Sequence, residues 1–346
     1  MSASVAGASA QRSDISHRIQ ALLVQMTLAE KIGQMSQVGA GEGHPPETLG
    51  ASLRAGLIGS VINVVDVSTL NELQRIAVEE SRLGIPLLIG RDVIHGFKTI
   101  MPIPLGQAAS WNPPLVEQGA RIAALEAAKS GINWTFAPMI DISRDARWGR
   151  IAESFGECVL LTSEMGAAMV RGFQGDDLAA TGSIAACAKH FAGYGAVESG
   201  RDYATTNIPD TKLRNVYFKP FKAAVEAGVS TLMTSFSDLN GVPATGNSYI
   251  LQDVLRGEWA FGGFVVSDWF ACRFTSSTEA CVKGGLSLEM PGKGARLTPK
   301  KLQRALNEGL ISEGDIDSNL RGLLTAMVQT GHLDTQRARG VRNTQE

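Results

Sequence analysis

The chain has 346 residues, 44% of them hydrophobic and 19% charged, with a formal net charge of −2. That profile belongs to a globular protein of one large domain or two medium ones, and its near-neutral charge gives no footing for nucleic acid or an anionic membrane. No apolar run approaches the roughly 18 residues that a membrane span requires.

Residues 1–14 are small and polar and read as a flexible N-terminus. They lack a charged start followed by an apolar core, so no secretory signal is read in them. The expected location is the cytoplasm, or the periplasm or exterior for a protein whose leader has been trimmed. Residues 15–38 carry Ile19, Leu22, Leu23, Met26, Leu28, Ile32 and Met35 at helical spacing, with Thr27 and Glu30 in capping-box positions. A turn-rich loop follows at 39–47. Strand-like runs then appear at 60–65, 86–90, 134–138, 184–191, 230–235, 264–267 and 286–290. Amphipathic segments at 70–83, 114–130, 160–174, 212–227 and 249–259 separate them, and two more helices are expected at 299–308 and 314–330.

Strands alternating with helices over about 250 residues have the rhythm of an α/β, (β/α)₈ TIM-like barrel. Seven strands are clear; the weak candidate for the eighth is 103–109. No repeat or linker marks a second domain, so the expectation is a single barrel over 15–333 and a polar tail over 334–346. Cys158, Cys187, Cys272 and Cys281 show no metal-ligand spacing and are expected to be reduced thiols, most of them buried. Neither a metal nor a cofactor is expected, for there is no glycine-rich phosphate cradle either.

The informative feature is what closes each strand. The run at 86–90 leads into Arg91, Asp92 and His95; that at 134–138 leads to Asp141, then Arg144, Arg147 and Arg150. The run at 184–191 ends in Lys189, His190 and Phe191, that at 230–235 contains Met233 and precedes Phe236, and that at 264–267 meets Asp268 and Trp269. Each residue has a plain structural reading: Asp268 as a helix cap, His190 as a core histidine, Arg150 as a partner of Glu153. Taken together these readings fail, because five buried polar clusters at one barrel rim are costly without a purpose. Lys189 as a Schiff-base lysine would need an apolar pocket, whereas Asp92 and Asp268 make this rim polar. A neutral polyhydroxylated ligand suits the set better: charged groups pair with hydroxyls, and Trp269 stacks on the apolar face of a sugar.

In their order along the chain, Gly90-Arg91-Asp92-Val93-Ile94-His95-Gly96, Arg147-Trp148-Gly149-Arg150 with Glu153-Ser154-Phe155-Gly156-Glu157, Lys189-His190-Phe191, Val266-Ser267-Asp268-Trp269 and Gly285 to Gly292 resemble glycoside hydrolase family 3, in its bacterial β-glucosidase branch. The resemblance runs from about Met26 to Pro291. It implies a retaining exo-β-glucosidase in which Asp268 attacks the anomeric carbon and forms a covalent glycosyl-enzyme. It also implies that Asp92, Arg150, Lys189, His190 and Arg201 hold the hydroxyls of a nonreducing-end glucosyl residue, between walls formed by Met233 and Trp269. The implied partner is a β-glucoside or β-gluco-oligosaccharide.

Several positions depart from the family pattern. Phe236 stands where a tyrosine is common, Cys158 where an aspartate is usual, and Phe270-Ala271-Cys272-Arg273 follows the nucleophile. In glucosidases of the family the general acid/base comes from a second domain after the barrel, and in its single-barrel β-N-acetylglucosaminidases from an Asp-His pair after the Lys-His-Phe strand. Here that loop, residues 192–203, has no histidine. Glu198 is the internal candidate for the acid/base and Asp238 a weaker one, better placed as a turn residue before Asn240-Gly241. The alternative expectation is a pocket open on one side, to be completed by a second domain or subunit. A competing reading is a carbohydrate-binding relic with feeble or no hydrolysis.

Overall fold

The computed structural model describes residues 2–39, 46–275, 277–292, 294–331 and 333. Much of the expected loop at 39–47 and the polar tail at 334–346 therefore lie outside the described residues. The helix Ser2–Gln25 includes the stretch expected to be flexible through Asp14. It is separated at Met26-Thr27 from a second helix, Leu28–Gln34, so the helical spacing read across 15–38 belongs to two helices. The break has a local cause: Thr27 and Glu30 form a complete capping box, which starts a new helix at Leu28.

Strands follow in short pieces: β1 Gln37–Gly39, β2 Ser60–Ile62, β3 Leu88–Arg91, β4 Trp134–Thr135, β5 Cys187–Phe191 and β6 Thr231–Thr234. A hairpin of β7 Asp238–Leu239 and β8 Val242–Pro243 precedes β9 Phe264–Val266. One parallel ladder runs β1-β2-β3-β4 and another β5-β6-β9. Parallel bridges Trp134↔Ala185 and Met139↔Lys189 join the first ladder to the second. Bridges Val266↔Leu288 and Ser36↔Glu289 carry the pairing from β9 through the 286–290 segment back to the start of β1. Eight parallel segments thus succeed one another around the molecule, the last joins being single bridges rather than continuous ladders. Sequence reading missed the parallel strand β1, three residues long, and the short hairpin β7–β8. The weak candidate at 103–109 is instead the helix Pro104–Ala108, with proline at its first position.

Between the strands lie the expected helices, among them Pro113–Lys129, Val159–Gln174, Lys219–Glu226 and Glu313–Gln329. The strands are buried on both faces, as covered parallel strands must be: Val61, Ile62, Ala186, Ala188, Leu232, Phe264, Val265 and Val266 are all inaccessible to solvent. Trp134 fills the middle, edge-on to Phe136 and Phe264, and its indole N–H donates to Thr231 Oγ1 at 2.9 Å. Gly90 is the place where this filling meets the backbone, since a Cβ there would lie 2.6 Å from the Phe136 ring. Buried amides tie the strand entrances together. Asn133 Oδ1 accepts from Ile89 N at 2.7 Å, and Gln174 Oε1 accepts from Ser230 N at 2.9 Å. Apart from Gly96 and Ile100 pairing across a tight turn, the loops after β3, β4, β5, β6 and β9 carry their polar residues to one end. That end holds the site.

Candidate active site

Asp268 sits two residues past β9 and is 6% exposed. Its position is fixed by its neighbour. Ser267 N donates to Leu288 O at 2.9 Å and Ser267 Oγ accepts from Met290 N at 3.0 Å, which pins the strand end to the 286–290 segment. The carboxylate is then held from two sides. Trp269 N donates to Oδ1 at 2.7 Å, while Oδ2 lies 3.3 Å from His190 Nε2 and 3.9 Å from Arg150 Nη1. Burial alone would raise its pKa, but contact with His190 and the charges of His190, Lys189 and Arg150 outweigh it and hold the group below the ordinary aspartate value. A carboxylate kept ionised at the end of a strand can act as a nucleophile.

The cations around it are themselves paired. Arg150 makes a two-pronged contact with Glu153, Nε to Oε1 at 2.7 Å and Nη2 to Oε2 at 2.9 Å. Burial pushes Glu153 up, yet Arg150's hydrogen bonds and charge, with Lys189 and His190 behind them, bring it net below its usual value. Lys189 Nζ donates to Asp92 Oδ1 at 3.0 Å. Its burial favours the neutral amine, but the charges of Asp92 and Asp268 prevail and its pKa is raised. A lysine held as an ammonium is unsuited to Schiff-base chemistry, which counts against that role for Lys189.

Behind Asp268 is a closed layer. His190 is wholly buried, with Nδ1 2.7 Å from Asp141 Oδ2, and its main-chain N–H donates to the same oxygen at 2.9 Å. Tyr194 packs edge-on to His190 and to Trp148, with ring centroids 5.2 Å apart in both cases, and lies under the Arg150 guanidinium. Its hydroxyl donates to Asp202, which also accepts the Trp148 indole N–H at 3.2 Å. Burial and the Asp202 carboxylate push the Tyr194 phenol up.

In front of Asp268 is a cavity of about 530 Å³, lined by Asp92, Ile94, Arg150, Glu153, Lys189, Tyr203, Met233, Phe236, Asp268, Trp269, Phe270, Arg273 and Met290. That size is ordinary for a small-molecule site. Of the residues singled out in the sequence, Asp92, Arg150, Lys189, Met233, Asp268 and Trp269 come together on it. His190 lies 3.3 Å from Asp268 but is wholly buried and does not line the cavity, and Arg201 is exposed and does not line it. Glu198 does not line it either. It lies in the 3₁₀ turn Glu198–Gly200, where Ser199 adopts a φ of 59°, and its Oε1 accepts from Asn207 Nδ2 at 2.7 Å. The same loop delivers Tyr203 instead. Asp238 behaves as the turn residue it was expected to be, accepting from Thr205 Oγ1 at 2.6 Å and Gly241 N at 3.0 Å. Sequence reasoning left Glu153 and Tyr203 out of the site, although Glu153 stands in a family motif and Tyr203 in the loop after β5. It gave Asp141 no role, although that residue also closes a strand.

A concave cluster of hydroxyl-binding charges and aromatic walls around an ionised carboxylate, at the C-terminal end of a parallel α/β barrel, defines the class: a glycosidase-like barrel. The model of the Glycosyl hydrolase family 3 N terminal domain matches residues 27–326, and the chain belongs to that family. A periplasmic β-glucosidase of Salmonella typhimurium is 38% identical over 320 residues, covering 90% of this chain and 41% of the relative. A lysosomal β-glucosidase of Dictyostelium discoideum is 34% identical, covering 90% of this chain and 43% of the relative. The crystal structure of a β-glucosidase from Listeria innocua in complex with glucose superposes with a TM-score of 0.86 at 35% identity, over 95% of this chain and 48% of the other. The chain thus spans less than half the length of these relatives. The cytoplasmic placement expected from the sequence is corrected by the periplasmic relative. A leader is cut from a mature protein, so the composition of the first residues carries no address.

Proposed function

We propose that the chain is the barrel of a retaining exo-β-glucosidase, residues 15–333 forming the folded unit. Asp268 attacks the anomeric carbon of a nonreducing-end β-D-glucosyl residue, the bond to the aglycone oxygen breaks, and a glycosyl-Asp268 ester forms. Asp92, Arg150 and Lys189 bind the sugar hydroxyls, and Met233 and Trp269 flank its apolar faces. The observation that carries this reading is the ionised Asp268 carboxylate at the floor of a cavity ringed by these groups. It is supported by the Listeria innocua β-glucosidase, solved with glucose and, as a mutant, with laminaribiose.

The acid that protonates the leaving oxygen is a separate matter. A retaining mechanism sets its two carboxyl groups roughly 5–5.5 Å apart. Besides Asp268, the carboxylates lining the cavity among the described residues are Asp92 and Glu153, and each is clamped by a cation. Each is engaged in an ion pair, and Glu153 is held below its usual value despite its burial, by Arg150. We infer that the acid/base comes from a further domain or subunit, as the greater length of the relatives allows. Kinetics with leaving groups of graded acidity test this on the 346-residue chain. Activated aryl β-glucosides should be cleaved, cellobiose hardly at all, and azide should speed turnover by attacking the glycosyl-enzyme to give β-glucosyl azide, since it needs no general base. Equal rates on both substrates with no azide effect would place an acid/base within this chain. Binding of glucose with no aglycone release from any substrate would favour the carbohydrate-binding relic.

A further inference from the structure

The mouth of the cavity is lined differently from its floor. Lys189 and Asp268 at the floor are 4% and 6% exposed, whereas Tyr203 and Phe270 are 51% and 39% exposed and Arg273 is open to solvent. An aglycone oxygen leaves the anomeric carbon on the side away from an attacking Asp268, so the aglycone points toward that mouth. Aromatic walls stand there. Trp269 and Phe270 have ring centroids 6.2 Å apart and planes 37° from parallel, and Tyr203 meets Phe236 edge-on at 4.9 Å. Phe270 takes a left-handed φ of 56°, which residues with a side chain seldom adopt. Its ring lies over Gly292, where a Cβ would come within 2.3 Å of it. Strain kept at a cavity wall points to a task in binding.

The 3₁₀ turn Ala271–Phe274 then brings Arg273 to the same cavity. Its guanidinium lies over the Phe274 ring, 4.6 Å from the centroid. Such stacking engages the flat face and leaves the N–H edge free for an acceptor. Of the three cations on the cavity, Arg150 is paired with Glu153 and Lys189 with Asp92, while Arg273 makes no ion pair among the described residues. Paired charges at the floor suit neutral hydroxyls. A guanidinium with a free edge beside aromatic walls suits a planar ring that carries a carboxylate.

We propose that Arg273 determines aglycone specificity: the outer subsite takes an aromatic aglycone bearing a carboxylate, and the preferred substrates are β-glucosides of phenolic acids. This rests on the reading of Asp268 as the nucleophile of a glucosyl subsite. The aglycone ring packs against Phe270 and Tyr203, and its carboxylate accepts from the Arg273 guanidinium. A phenol is also a leaving group that needs little help from a proton donor, which fits a cavity whose other carboxylates, Asp92 and Glu153, are paired with cations.

The test is calorimetric binding of a matched pair of ligands that resist hydrolysis, 4-carboxyphenyl and 4-carbamoylphenyl 1-thio-β-D-glucoside, with glucose as reference. Wild type should bind the carboxylate about fivefold more tightly than the amide, an advantage sized for an exposed arginine, and raising the ionic strength should reduce it. In Arg273→Gln the preference should fall below about twofold, and Arg273→Lys should keep part of it, since the charge remains without the fork. Equal affinity for the two ligands in wild type, or an undiminished preference in Arg273→Gln, overturns the proposal. Glucose separates this failure from that of the underlying reading. A wild type that binds glucose but does not distinguish the thioglucosides refutes the aglycone proposal alone, whereas one that binds neither glucose nor either thioglucoside refutes the glucosyl subsite itself.

Discussion

The sharpest test of the site's electrostatics needs no substrate. Lys189 is an ammonium with a 5% exposed side chain, 3.0 Å from Asp92 Oδ1, and the Asp92 side chain is 47% exposed. Replacing Asp92 by Asn keeps the shape and removes the anion. At 3.0 Å the lost attraction is about 5.5 kcal/mol for an effective dielectric of ~20 and about 1.4 kcal/mol in water. Because half of the Asp92 side chain is in solvent, the lower part of that range applies, and Asp268 continues to face the ammonium. A loss of about 2 kcal/mol of folding stability at pH 7 is therefore expected, measured by urea denaturation of both proteins. The pH dependence carries a sign. Lys189 has its pKa raised in the folded state, so the stability it contributes is complete below the unfolded value of about 10.4 and is lost as pH rises through the folded value. The gap between wild type and Asp92→Asn should accordingly be steady from neutral pH to about 9 and narrow above about 10. A variant as stable as wild type at pH 7, or a gap that widens at high pH, would refute the assignment of Asp92 as the counter-ion that keeps Lys189 charged.

Two further predictions are simpler. Asp268→Asn is nearly isosteric and should abolish release of aglycone from an activated aryl β-glucoside while leaving the circular dichroism spectrum unchanged; retained turnover would remove Asp268 from the mechanism. Cys158 is the N-cap of helix Val159–Gln174, in extended geometry but with no side-chain capping bond, so Cys158→Asp should stabilise the protein by about 1 kcal/mol and raise Tm by about 2 °C, read by differential scanning calorimetry.

The alternation of strand and helix was legible because buried parallel strands and amphipathic helices leave different apolar patterns, and the seven runs read from the sequence all take part in the parallel pairing. The eighth, β1, was not legible. Gln37-Val38-Gly39 is too short for a period, and follows the helical spacing of Ile32 and Met35 without a visible stop. The break at Met26 is signalled by the Thr27–Glu30 capping box, which marks the start of a new helix within the helical spacing of 15–38.

The site was legible for a narrower reason. A residue that closes a strand inherits its direction from the strand, so Asp92, Lys189 and Asp268 reach the rim wherever the barrel closes. Residues on long loops have no such constraint. Glu198, Arg201 and Tyr203 stand within six positions of each other, yet it is Tyr203 that lines the cavity while Glu198 is occupied by Asn207. Nor does a strand-end position say which way a side chain turns. Lys189 and His190 are adjacent on β5, yet the first lines the cavity and the second is sealed in the layer behind it, against Asp141. A motif joins such neighbours into one label, but the surroundings of each side chain differ. One helps to line the space a sugar would occupy, and the other is buried beside the carboxylate that would attack it, 3.3 Å away.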